Sequence, residues 1–152
     1  MWSRMGGWLW ALVRTDCWRP GEWHEAECRM GHRIPGDSCD CGLYGFHNVE
    51  FMEREFGLPV SSSMGMPAIP TEPLHEARGV IVADGDIIPY SRGFRAQYAK
   101  VVAIFDDGAE AIATPQHIAA DYRCEVITPG QYDMFCIKHG LRRLDLEWQL
   151  TV

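Results

Sequence analysis

This chain of 152 residues has no stretch approaching the roughly 18–20 consecutive apolar residues that a membrane span requires. No span and no membrane partner are expected. Its start reads poorly as a secretory signal. Arg4 would serve as a basic n-region, but the apolar run over residues 6–13 is short, and Arg14 follows it without a small-residue cleavage site. The expectation is a cytoplasmic protein with reduced thiols. Positive charge is also scarce. The net charge is −7, which opposes non-specific binding to nucleic-acid phosphates. Arg92 and Arg95, and Arg142 and Arg143, are close in sequence but too sparse to form a DNA-binding stripe. The G-x-S-x-G elbow, the Walker loop, the Rossmann glycine fingerprint and H-E-x-x-H are all missing. Nothing in the motif inventory marks an enzyme, and the catalytic residue set is expected to be empty.

What is present is a core and a cluster of soft ligands. Hydrophobic residues make up 47% of the chain, too many for disorder and enough for one domain to fold without cysteine staples. Three of the six cysteines and one of the six histidines fall in one Gly/Pro-rich segment, CRMGHRIPGDSCDC: Cys28, His32, Cys39 and Cys41. The spacing is C-x3-H-x6-C-x-C, and the segment has almost no apolar content of its own. Zn²⁺ takes thiolates and imidazole in a tetrahedral shell, so one ion would give this loop a reason to converge. Gly31, Pro35, Gly36 and Gly42 supply the tight turns that wrapping an ion demands. A disulfide between Cys28 and Cys39 or Cys41, and unbound cysteines, are the alternatives. Cys17, His24 and His47 are the reserve ligands. If all four bind, no position is open for water and the zinc is structural rather than catalytic.

Along the chain, three parts are expected within one α+β domain. Residues 1–57 carry a Trp-rich strand, the zinc loop and a helix. Residues 58–73 form a flexible Ser/Met/Pro connection. Residues 74–152 form a sheet with two short helices. Trp8, Leu9 and Trp10 open the strand pattern, and Trp18 and Trp23 follow it. Leu43, Phe46, Val49, Met52 and Phe56 recur at helical spacing, which predicts a helix from Leu43 capped by Asp40. Asp84-Gly85, Ser91-Arg92-Gly93 and Asp106-Asp107-Gly108 read as turns between strands. Thr114-Pro115 and Thr128-Pro129 each read as a helix start, with threonine at the N-cap and proline in the first turn. Gly140 closes the second helix, CEVIT between the two helices is a short strand, and residues 144–150 alternate like an edge strand.

Cys124 and Cys136 sit in apolar contexts and read as inert core thiols. Asp84, Asp86, Asp106 and Asp107 are carboxylates that turn chemistry explains without catalysis. In SRGFRAQYAK, Arg92 and Arg95 flank Phe94, an arrangement that would grip a carboxylate, phosphate or base; the competing reading is a strand with a solvated polar face. Trp18, Trp23, Arg92, Phe94 and Arg95 are therefore the candidate partner-binding residues.

The string W-x-P-G-x4-A-x-C-x3-H-x2-P-x3-C-x-C-G-x-Y, from Trp18 to Tyr44, resembles a group of uncharacterised small proteins of actinobacteria and their phages. In that group a Cys-His-CxCG-x-Y segment precedes a β-rich part with a G-x-R-A motif, matched here by Gly93, Phe94, Arg95 and Ala96. Two departures stand out. Gly45 replaces an alanine after the tyrosine, and Ala83-Asp84-Gly85 stands where a Trp-Gly pair is usual. The resemblance implies a bacterial or phage origin and no known activity. The combined expectation is an α+β fold: a small antiparallel sheet, short packed helices and an N-terminal metal-stapled loop. Its role is a non-catalytic, zinc-stabilised binding or adaptor module with a protein partner, a host protein if the chain is phage-encoded. A nucleic-acid-associated zinc module and a small metal-dependent hydrolase are the alternatives.

Overall fold

The computed structural model describes residues 2–5, 8–11, 17–48, 50–51, 76–106 and 114–142. The fold is α+β, as the sequence predicts. Its axis is one long hairpin of β-rich sequence, β7 (Gly79–Pro89) and β8 (Gly93–Phe105), which turns at Ser91 and Arg92. β7 pairs antiparallel with β8 along nearly its whole length. The opposite edge of β8 is tiled by three short strands. β5 (Leu43–Phe46) pairs with residues 93–96, β4 (His24–Glu25) with Tyr98 and Ala99, and β9 (Glu125–Ile127) with residues 103–105. β4 and β5 run antiparallel to β8, and β9 runs parallel. A second antiparallel sheet has the order β3-β2-β1-β6, from β1 (Trp2–Met5), β2 (Trp8–Ala11), β3 (Cys17–Trp18) and β6 (Glu76–Ala77).

Two helices follow β8. α1 (Pro115–Tyr122) forms the crossover to β9, and α2 (Tyr132–Lys138) follows a 3₁₀ turn over Pro129–Gln131. Both Thr-Pro starts act as helix openings. The Thr114 hydroxyl accepts from the His117 amide at 3.4 Å, and Gln131 Oε1 accepts from the Thr128 amide at 2.8 Å. Gly140 takes φ +62° just beyond α2, the left-handed geometry that glycine adopts without strain.

The sheet is filled on two sides. Trp18, Leu43, Ala99, Val101, Ile104, Ile118 and Tyr122 belong to one buried cluster. Val80, Ala103, Phe105, Ile127, Phe135 and Cys136 form the other, with Val102 against it. Val102 and Ala103 therefore serve the same cluster although adjacent in sequence, and the register of β7 on β8 shifts at this point. A bulge explains this, because one extra residue reverses the in/out alternation. Helix α1 contributes to the first cluster and α2 to the second. The Tyr122 hydroxyl donates to the Trp18 carbonyl and ties α1 to β3.

Two local expectations change. Leu43 does not start a helix. Residues 43–46 are strand β5, because the edge of β8 offers a ladder that a short apolar segment can join. Helical geometry begins only at Glu50 and Phe51, where Asn48 Oδ1 rather than Asp40 accepts from the Phe51 amide at 2.9 Å. Asp84-Gly85 is not a hairpin turn. β7 runs through it, and Gly85 at φ +75° forms a bulge opposite Gln97. The connection at 58–73 and the strand expected at 144–150 lie outside the described residues. No helix among the described residues is long and apolar enough to cross a membrane.

Candidate metal centre

The loop between β4 and β5 carries all four expected ligands, and the two strands anchor both ends of it to β8. Within the loop, the Gly31 amide donates to the Cys28 carbonyl at 3.5 Å and the Cys39 amide to the Gly36 carbonyl at 3.2 Å. These two turns bring the ligands to one point. Cys28 Sγ lies 3.2 Å from His32 Nε2 and 3.7 Å from Cys39 Sγ, and Cys41 Sγ lies 3.9 Å from His32 Nε2. All four ligand atoms fall within 4.8 Å of one another. The bond lengths usual for zinc give tetrahedral edges of about 3.8 Å between sulfurs and about 3.6 Å between sulfur and nitrogen. The four side chains could hold a metal ion at that scale. All six cysteines are free thiols, so neither disulfide alternative is realised. Cys17, His24 and His47 stand outside the group, and no second group of three or more such ligand atoms occurs among the described residues.

The surroundings prepare the ligands. His32 Nδ1 lies 2.6 Å from the Arg33 carbonyl, which can only accept, so Nδ1 carries the proton and the Nε2 lone pair faces the sulfurs. The His32 imidazole, the Cys41 amide and the Cys28 thiol bring the Cys39 thiol down to about 7. The Gly36 amide donates to Cys41 Sγ, the one fully buried member of the group, at 3.3 Å. Gly36 has a steric duty as well. A Cβ there would lie 2.5 Å from His32 Cε1 and 2.7 Å from Nδ1. Gly42 takes φ +119°, and a Cβ on it would stand 3.0 Å from Arg95 Cβ and 3.1 Å from Pro35 Cβ. The turn chemistry read from the sequence is thus tied to particular side chains.

The rest of the protein holds the loop from two directions. The β7 bulge aims Asp86 at the loop, where its carboxylate accepts from Arg33 Nε and Nη2. The Arg33 guanidinium holds the Asp86 carboxyl below its usual range. From β8, Arg95 reaches under the loop. Its Nη1 donates to the carbonyls of Cys39 and Cys41, the latter at 3.1 Å, and its Nη2 to that of Gly36 at 3.3 Å. Its Nε donates to the Tyr90 hydroxyl at the hairpin tip.

This placement corrects the candidate partner surface. Arg95 is 5% exposed and bound to the loop backbone, so it has no free face for a carboxylate or phosphate. Trp18 and Phe94 are buried as well. Of the five residues only Trp23 and Arg92 are exposed. Sequence reasoning missed Tyr44, Tyr90 and Met30, which are exposed apolar or aromatic side chains near the loop in sequence or in pairing. It also missed Arg95 as a support of the loop; the only available signal was arginine within a β-rich segment. Cys124 and Cys136 pack in the core, and burial raises the Cys124 thiol to about 11, consistent with an unreactive group.

Position 45 has no room for a side chain. Gly45 pairs with Phe94 across β5 and β8, and a Cβ at position 45 would lie 2.4 Å from Phe94 Cζ. The ring occupies the space of the missing side chain. Comparison with known proteins found no matching family model, no similar curated protein and no similar solved structure.

Proposed function

We propose that this protein is a non-catalytic binding or adaptor module whose N-terminal part is organised by a structural zinc ion bound by Cys28, His32, Cys39 and Cys41. The observation that carries the reading is the convergence of three sulfurs and one imidazole nitrogen within 4.8 Å on a loop with little core of its own. Three thiolates and an imidazole favour zinc over harder cations such as Mg²⁺ or Ca²⁺. Four protein ligands fill a tetrahedral shell, which disfavours a hydrolase needing a metal-bound water. A stapled loop presents a rigid surface, and the exposed Trp23, Met30, Tyr44 and Tyr90 give it aromatic and apolar contact groups of the kind protein interfaces use. A protein partner is the reading these groups support, a host protein if the chain is phage-encoded. The nucleic-acid alternative loses one of its two arginines, since Arg95 is occupied by loop carbonyls.

Elemental analysis of the purified protein tests the centre. Equimolar zinc is expected, and changing any of the four ligands to serine lowers it. A metal-free wild type, or zinc content indifferent to these changes, rejects the reading. The cobalt-substituted protein separates the module from the hydrolase. A filled shell leaves its visible spectrum unchanged by added azide or cyanide, whereas an open position shifts it.

A further inference from the structure

Arg95 is a permanent cation at 5% exposure, and among the described residues no carboxylate pairs with it. Its acceptors are three carbonyls and one phenol, all neutral. Burying an uncompensated charge is expensive, and such groups are normally paired with an opposite charge. Two of its carbonyls belong to Cys39 and Cys41, the ligand residues themselves. A divalent ion held by three thiolates and one neutral imidazole carries a net charge of −1. An occupied centre would supply the missing counter-charge beside the guanidinium that binds the Cys39 and Cys41 carbonyls.

We propose that Arg95 is the counter-ion of the metal centre, a positioning residue whose charge, and not only its hydrogen bonds, sets the affinity for a divalent metal in an anionic three-thiolate shell. This inference rests on the metal reading above. It makes the site electrostatically asymmetric. The centre is anionic on the ligand side, and the cation stands on the β8 side, fixed by Tyr90. A shell that gained a second imidazole in place of a thiolate would be neutral and would need no counter-ion.

The test is a charge cycle read as metal affinity. Zinc and cobalt binding are measured by competition with a chromophoric chelator for the wild type, Arg95→Gln and Arg95→Lys. The same three states are then built on Cys39→His, chosen because Cys39 is only partly buried whereas Cys41 is fully buried. Arg95→Gln is expected to weaken binding about 10–100-fold in the three-thiolate protein, the range usual for groups that support metal ligands. Arg95→Lys, which keeps the charge and drops the fork, is expected to retain most of the affinity. In the Cys39→His background the Gln change is expected to have little effect. An equal loss for Gln and Lys, or the same loss in both backgrounds, overturns the proposal and leaves Arg95 as a hydrogen-bonding support alone. Should Arg95→Gln fail to fold, Arg95→Lys against wild type decides: a full loss of affinity overturns the proposal and near-wild-type binding supports it. The cobalt charge-transfer band verifies the thiolate shell in every variant. The wild-type titration is read first, so a protein that takes up no metal rejects the centre itself and is distinguishable from a failed charge cycle.

Discussion

At the scale of single residues, the site depends on atoms that are missing as much as on the ligands. Gly36 lets the His32 ring lie against the backbone, and the ring fills the volume that any Cβ would take. Gly36→Ala is expected to push the imidazole off the sulfurs and weaken metal binding by about 10–100-fold. Chelator competition measures this, and a preserved affinity would show that the ring has another seat. Gly45 and Phe94 form a second such pair. Gly45→Ala alone is expected to destabilise the protein by about 1–3 kcal/mol through overpacking. Combined with Phe94→Leu, which shortens the opposing side chain, the alanine is expected to cost much less than it does beside Phe94. Chemical denaturation of the four variants gives the coupling, and additive costs would refute the steric account. The Gly45–Phe94 pair is not visible in sequence, because its partners lie far apart along the chain and meet only across β5 and β8.

Among the secondary-structure elements, β8 does most of the organising. Its far edge accepts three separate segments in series, and those segments bring the metal loop and the helix crossover onto the strand that β7 pairs from the other side. The bulge at Gly85 then sets where Asp86 meets the loop. At the other end, α2 is held to β9 by Glu125, which accepts from Lys138 Nζ at 2.8 Å and faces His139 Nε2 at 2.7 Å. Lys138 and His139 lower the Glu125 pKa. A depressed carboxylate contributes stability that is complete above its unfolded value of about 4.3 and is lost as pH falls through the lower folded value. The melting temperatures of wild type and Glu125→Gln are therefore expected to differ at neutral pH and to converge in acid. Curves that stay parallel would show that the cluster adds nothing. On α1, Thr114→Ala removes the cap that receives the His117 amide and is expected to cost about 1 kcal/mol by denaturant titration.

For the molecule as a whole, the metal loop and the core have different supports. The two buried clusters draw on β7, β8, both helices and Trp18, with Ala26, Ile34 and Leu43 as the loop's contributions. The loop otherwise relies on its four ligands, Arg95 and the Arg33–Asp86 pair. Removing metal with a chelator is accordingly expected to leave the sheet's far-ultraviolet dichroism in place. Amide exchange should then accelerate across residues 27–42 while β7 and β8 stay protected. Uniform loss of protection would mean that the ion is part of the global folding unit, as in small metal-dependent domains.

The Cys/His group that could hold a metal ion, the glycine turns, the two Thr-Pro helix starts and the α+β class were legible in the sequence because each depends on residues close along the chain. Local chemistry and local backbone freedom are encoded where they act. The helix expected at Leu43 and the turn expected at Gly85 failed for the opposite reason. Residues 43–46 have spacing compatible with either state, and the free edge of β8 decided for strand; Gly85 suits a turn or a bulge, and the continuous pairing of β7 decided for the bulge. Arg95 is the clearest case. Its sequence context suggests a surface cation, while the structure buries it among loop carbonyls. Burial and charge compensation are properties of what the folded chain brings together across more than fifty residues, so only tertiary structure could assign them.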